Sequence, residues 1–321
     1  MVTRPAVKLD VSGKDIKLSR FVSAEYVDNT GRADDRLNIV FSDYDNALEI
    51  PDPDSRIKIW AGTEKEMVYW GEWVCNDYTS VSHKSLTVNC KPYSDMLLRS
   101  YSTKRYNESF ETIVKEIASR NGMKAVIYKD FRNYKSESFT QKNESDLNFL
   151  TRICKEYGAY FKVIEGRICI LKRCSGLNAE GKSLDVIDLD ISDIKKNGIS
   201  VRGGRRKKYK SCEVFYADPY HQKTERIIKG SGDPKKRISE AFRSKKEAEI
   251  AADSFLKDYN SSMQTAEVNM IDGCPELRSE SPVMVRNHKP ETDGLWFAES
   301  VTHKIDARKI TTNAKLIRNL E

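Results

Sequence analysis

The chain has 321 residues, 39% of them hydrophobic, enough to build two or three packed domains. It carries 55 Lys and Arg against 48 Asp and Glu, and this net charge of +7 is too mild to identify a nucleic-acid binder by itself. No apolar run is long enough to cross a membrane, and the opening MVTRPAVKLDVSG lacks the apolar stretch of a signal peptide, so synthesis and folding in a cytoplasm are expected.

The seven cysteines are Cys75, Cys90, Cys154, Cys169, Cys174, Cys212 and Cys274. Their number is odd, no pair has C-x-x-C spacing, and several fall at apolar-periodic positions. That pattern describes buried thiols in a reducing compartment. Thiols and the four histidines never cluster at ligand spacing, which argues against a zinc site.

Residues 1 to about 100 read as all-β. Val7, Leu9 and Val11 alternate with polar residues, 21–27 forms a second strand, and Leu37, Ile39 and Phe41 alternate in a third. Pro51 and Pro53 break the ladder. Residues 56–61 and 67–74 form the arms of a hairpin with a charged tip, and Leu86, Val88 and Cys90 mark a further strand. Short strands at this density predict a small barrel or sandwich.

Composition shifts near residues 97–107. Phe110, Ile113, Val114, Ile117 and Ala118 then form a helical stripe, with Asn107 or Ser109 as cap and Gly122 as stop. Strands are expected at 126–128 and 139–141. The stretch 143–171 reads NESDLNFLTRICKEYGAYFKVIEGRICIL, a capped helix followed by a hairpin. Ser145 is the N-cap, with Asp146 in the first turn facing the positive helix end. Leu147, Leu150, Ile153, Cys154 and Tyr157 form the expected buried face, and Gly158 takes the left-handed conformation that ends the helix. Strands 160–164 and 167–171 follow.

Beyond a polar connector at 174–182, short strands are expected within 184–201, then comes the basic run RGGRRKKYK at 202–210. Two strands at 210–217 and 225–229 are linked around Pro219, and 230–237 reads as a second basic loop. Ser244 and Glu247 have capping-box spacing ahead of a helix whose buried stripe is Ala248, Ala251, Ala252, Phe255, Leu256 and Tyr259. Strands at 265–270, 282–286, 295–303 and 310–317 close the chain.

Four stretches, in this order, resemble the phage late control protein D family, the baseplate hubs of contractile phage tails, related to the hub part of type VI secretion spike proteins. They are 43–62; the helix SFETIVKEIASRNG at 109–122; the helix and hairpin at 144–171; and SKKEAEIAADSFLKDY followed by DGLWFAESVTHKID and TTNAKLI. The family often places glycine near Ser281-Pro282 and Arg308-Lys309; both are absent here, so those turns are expected to differ.

The resemblance implies a mostly β, α+β protein: two small tube-forming β-barrel domains at 1–105 and 176–321, the latter with a packed helix at 244–259, separated by an α+β insert at 106–175. It implies a homotrimer whose six barrels form a pseudo-sixfold ring between a sixfold tail tube and a threefold central spike. Expected partners are the spike, the tail tube protein, the tape measure and baseplate wedge proteins, in a virion baseplate or a tailocin-like contractile injection particle. No cofactor is implied. DNA would pass the channel without specific binding. The sequence ends without a spike-like β-helix or lysozyme domain, so the piercing tip is expected to be a separate protein.

Other chemistries compete poorly. Asp43, Asp45, Asp52 and Asp54 lack the spacing of an EF-hand and read as a turn between strands. His83, His221, His288 and His303 are scattered, no G-x-S-x-G occurs, and the 230–237 loop lacks Walker spacing. A cell-wall-degrading tail enzyme stays open only because paired carboxylates need not be near in sequence. The alternative of a nucleic-acid-binding regulatory protein rests on Arg202, Arg205, Arg206, Lys207, Lys208 and Lys210, with Tyr209 to stack on a base. As a hub, the same six cations are candidate interface or channel contacts. Trp60, Trp70, Trp73 and Trp296 read as core or interface fillers, with a Trp70–Trp73 sugar platform the lesser alternative.

Overall fold

The computed structural model describes residues 4–15, 18–31, 35–52, 54–134, 139–164, 166–203, 209–218, 223–242, 244–261 and 264–318. The chain forms two compact units, and neither is continuous in sequence. The first comprises Met1–Leu97, Val186–Ser200 and Ala266–Leu316; the second comprises Leu98–Asp185, Val201–Thr265 and Ile317–Glu321. The division at 105 and 175 expected along the chain is sequential, whereas these units interleave.

The first unit is built on one 13-stranded sheet. Strand Gly294–Asp306 pairs antiparallel with Phe21–Asn29, from Ser300 opposite Asn29 to Asp306 opposite Ser23, so both ends of the chain share a single sheet. From Phe21–Asn29 the order runs through Arg36–Asp43, Lys84–Pro92, Met67–Val81 and Arg56–Thr63 to Pro5–Val11. In the other direction it runs through Ile310–Ile317 and Gln264–Met270 to Ile194–Gly203. The period-two pattern works as expected: Leu9, Leu37, Ile39, Ile57, Ile59, Leu86, Val88 and Cys90 are all buried in one cluster.

A β-bulge shapes that core. Ile59 faces Gly71 but Trp60 faces Tyr69, leaving Trp70 as the extra residue. Gly71 sits at φ +109°, where an L side chain is strained, and a Cβ there would press on Trp73 Nε1 at 3.3 Å. Strict alternation would send Trp70 and Trp73 to opposite faces. The extra residue puts both inside, each with its ring 5.5 Å from Tyr26, and Trp73 Nε1 donates to the Trp70 carbonyl at 3.1 Å. A sugar platform of these two indoles is thereby ruled out, because both are buried. The glycine missing near Ser281 also has a local answer: Glu280 itself takes φ +65°.

In the second unit, helices Phe110–Arg120 and Asp146–Glu156 pack with small sheets. Ser109 and Ser145 cap them, accepting from the amides of Thr112 and Asn148. Gly158 lies at φ +66°, with any Cβ only 2.6 Å from Ser254 Oγ, so glycine is required for both conformation and space. The hairpin Ala159–Ile164/Arg167–Lys172 forms in register and adds Lys124–Ile127 as a parallel strand. One face assignment needs correction. Phe149, not Leu147, joins Leu150, Ile153 and Cys154 in the core; Leu147 is half-buried.

Asp146 does more than face a helix dipole. It is fully buried and accepts from Arg120 Nε at 2.9 Å, Asn121 Nδ2 at 2.8 Å and Gln141 Nε2 at 2.8 Å, with Arg120 Nη2 also on its other oxygen. Arg120 continues to Tyr106 Oη at 3.2 Å. The cluster ties both helices to the pair Tyr101–Tyr106 and Phe139–Ser145, whose first strand the sequence pattern does not reveal. Strand Lys235–Phe242 likewise takes over the last three residues of the expected basic loop at 230–237, beside Ser211–Asp218 and Lys223–Gly230, with helix Lys245–Ser261 on one face.

Two outcomes follow from these cores. Leu150→Asp buries an unpaired charge and should abolish soluble expression; a variant that remains soluble with a native melt would disprove the face assignment. Asp146→Ala strands the Arg120 guanidinium and should cost about 3 kcal/mol in urea unfolding, with Asp146→Asn retaining part of it.

Candidate interaction surface

The residues weighed as rival sites, the acidic stretch and His303, are held by structural contacts. Asp43 is buried and accepts from the Leu48 amide at 3.1 Å, while Asp45 forms a paired contact with Arg20 at 2.5 and 2.6 Å that holds its carboxyl down at about 2. The acidic stretch is a turn, as its spacing suggests. His303 is buried between Thr312 Oγ1 at 3.0 Å and the Leu277 carbonyl at 2.9 Å, and its ring stacks on Tyr26 and Trp70. Burial, reinforced by the Arg278 charge, pushes its pKa down to about 4. None of the cysteines is in a disulfide, and burial pushes the Cys90 and Cys274 thiols up to about 12. Among the described residues, no group of three or more His, Cys, Asp or Glu is arranged to hold a metal ion.

The basic run is split by the description. Arg205, Arg206, Lys207 and Lys208 lie outside the described residues. Arg202 is exposed near the end of strand Ile194–Gly203, and Lys210 is exposed with its amide donating to the Pro234 carbonyl at 3.0 Å. Tyr209 is half-buried. Its ring packs 4.6 Å from Tyr259 and 6.0 Å from Phe255, and Asn260 Nδ2 donates to its carbonyl at 3.1 Å.

The run leads into a three-stranded sheet with one face under a helix and one open; two of its strands and the helix are as expected, and the third strand is not. Cys212, Val214, Tyr216, Ile227 and Phe242 face Ala248, Ala252, Phe255 and Leu256. The alternate positions Glu213, Phe215, Arg226, Ile228, Arg237 and Ala241 share the other face. Arg237 lies 4.8 Å from the Phe215 ring centroid and Arg226 stands 3.6 Å from Glu213. Such a face can bind a surface; it has no constellation for bond chemistry.

No protein-family model matches the sequence. Solved structures share the fold. The fold matches the tail protein from Neisseria meningitidis MC58 with TM-score 0.72 and 12% identity, over 98% of this chain and 97% of that one. It also matches an Escherichia coli protein described as a component of the type VI secretion system, with TM-score 0.61 and 15% identity over 98% of this chain and 77% of that one. The fold is that of phage tail and type VI secretion proteins.

Sequence relatives narrow this further. The chain is 22% identical to the "Probable baseplate hub protein" of Escherichia phage 186, over 97% of this chain and 92% of the relative. It is 23% identical to the protein of the same name in Escherichia phage P2, over 92% and 88%. It is thus a homologue of baseplate hub proteins along nearly its whole length.

The buried imidazole sets an acid limit on stability. An unfolded His takes up its proton below about 6.5, but His303 stays neutral in the fold until about 4. Its contribution is therefore whole above pH 6.5 and is lost as pH falls toward 4, on the order of 3 kcal/mol in all. Urea unfolding across pH 4–7 should show that loss, and His303→Gln should flatten it while lowering stability at pH 7.

Proposed function

We infer that this chain is the structural baseplate hub of a contractile phage tail or tail-like particle. One observation carries the reading: the homology to two phage proteins named as probable baseplate hubs spans 97% and 92% of this chain and 92% and 88% of theirs. The fold shared with tail and type VI proteins supports it.

In this reading three copies close a ring. The first unit's sheet supplies the two tube-forming barrel domains of each copy, giving six similar elements around a channel between the sixfold tube and the threefold spike. The spike, tube, tape measure and wedge proteins are the partners, and the virion baseplate is the location. The role is mechanical, with no catalytic step. Arg202, Arg205, Arg206, Lys207, Lys208 and Lys210 serve as interface contacts. DNA passage calls for weak contact with the wall, which separates this reading from a regulatory DNA binder.

The test is assembly. The chain mixed with the spike and tube proteins encoded beside it should form a threefold ring in class-averaged electron micrographs. A chain that stays monomeric in that mixture overturns the ring. Duplex DNA binding at physiological salt that falls steeply as salt rises would favour the regulatory alternative instead.

A further inference from the structure

The register of the hairpin Met67–Val81/Lys84–Pro92 sets two cysteines opposite each other. Cys75 faces Cys90, with Val74 facing Lys91 before the pair and Asp77 facing Asn89 after it, so Asn76 is an extra residue at a bulge. Both side chains lie on the core side of the sheet. Cys90 is buried in the main cluster, and half-buried Cys75 packs against that cluster. No other two of the seven cysteines are placed this way. Cys154 is helical, Cys174 and Cys274 lie outside strands, Cys169 faces Lys162 and Val126, and Cys212 faces Lys229 and Lys236.

Opposed residues of an antiparallel ladder have Cα atoms about 4.5–5.5 Å apart, inside the span of about 4.4–6.8 Å that a disulfide bridges. The thiols also lean the same way along the ladder. Cys75 Sγ donates to the Asp77 carbonyl at 3.8 Å and Cys90 Sγ to the Val88 carbonyl at 4.0 Å, each toward the hairpin turn. The pair stands at a structural boundary. The ladder between this hairpin and strand Arg56–Thr63 ends at Arg56 opposite Val74. Beyond Val74 the strand pairs in the sheet with Lys84–Pro92 alone, and residues 76–84 are exposed. The two cysteines therefore mark the base of an arm.

We propose that Cys75 and Cys90 are a redox-modification site, which a low-molecular-weight disulfide such as oxidised glutathione closes into a cross-strand disulfide that pins the base of the 76–84 arm. Cys75 is the entry point, because Cys90 is buried. The Cys75 thiolate attacks one sulfur of the oxidant; a Cys75–glutathione bond forms, and the departing glutathione takes up the proton that Cys75 lost. Cys90 then gives up its proton and attacks Cys75 Sγ. The Cys75–Cys90 bond forms as the second glutathione leaves and is protonated. The protein has lost two electrons and two protons, and the oxidant has become two thiols. Burial pushes both thiols up, Cys90 to about 12, so thiolate is scarce and closure is slow at neutral pH. A reducing compartment keeps the pair open, and passage out of it supplies the oxidant. The proposal concerns the chain's own thiols and stands apart from the hub reading.

The experiment takes the purified, reduced full chain to equilibrium with excess oxidised glutathione at about pH 8.5, where thiolate is more plentiful. Remaining thiols are then alkylated and the chain is cut with trypsin, which cleaves after Lys84 and so separates the two cysteines. The peptides carrying Cys75 and Cys90 should appear joined, lighter by two hydrogens than their sum. The thermal midpoint should rise by about 5 °C and fall back on reduction with dithiothreitol. Cys75→Ser should abolish both the joined peptide and the rise. Where Cys90→Ala folds, it should leave glutathione on Cys75 with no rise. Recovery of both cysteines alkylated would overturn the proposal, as would a Cys75 that keeps glutathione in the wild-type chain or links to any cysteine other than Cys90. A joined peptide with an unchanged midpoint would overturn the pinning of the arm.

Discussion

The pairing of strand Gly294–Asp306 with Phe21–Asn29 is the constraint on which the first unit depends. It is a non-local contact between the two ends of the chain, and it places their strands in one sheet of 13. The loop-closure entropy of such a contact is recovered only by a long ladder and the apolar surface it buries. Both are present: the register holds over seven residue pairs, and Ile305 and Ile310 from the far end join the core built by residues 9–90. Side chains reinforce the seam. Asp28, buried on one strand, accepts from the Ser279 amide at 2.8 Å and its hydroxyl at 2.9 Å. Once the ends are joined this way, the middle of the chain must leave the sheet and return to it, which is why both units are discontinuous.

Several polar groups inside this sheet have specific protein partners. His303 spends both ring nitrogens on Thr312 and Leu277, and Trp296 Nε1 donates to the Thr292 carbonyl at 2.8 Å. A buried donor left unmade costs about 1–3 kcal/mol, so each such residue fixes the position of its neighbours as well as its own. The bulge at Trp70 acts in the same direction. By bringing two indoles to one side, it fills the space above Tyr26 that alternating smaller residues would leave.

Much of this was legible in the sequence, and the losses have a physical pattern. Helix Phe110–Arg120 was readable because all five stripe residues are fully buried, so periodicity and packing agree. Strand Tyr101–Tyr106 was not, because Tyr106 is its only buried residue and Tyr101 is 68% exposed; a strand held by backbone bonds to a neighbour leaves little side-chain signal. Strand Lys235–Phe242 was hidden by its cations, which mimic a loop while lying in a ladder. Asp146 at a helix start has an ordinary explanation as a dipole partner, and only the fold shows that Arg120, Gln141 and Asn121 converge on it. Tyr209 errs the opposite way: a basic context suggests a free stacking ring, yet it is half-buried against Tyr259 and Phe255.

The basic face follows the same logic at the level of charge. Helix Lys245–Ser261 spends its small residues, Ala248 and Ala252, on close contact with the sheet, so that face is packed and its lysines are matched. On the opposite face Arg226 pairs with Glu213 and Arg237 lies over the Phe215 ring. Apolar burial gives affinity without much discrimination, whereas charge selects among partners and speeds encounter. Over the rest of the chain 39 cations balance 39 anions, and of the excess of seven in residues 201–265 six charges belong to the run 202–210 that precedes the sheet.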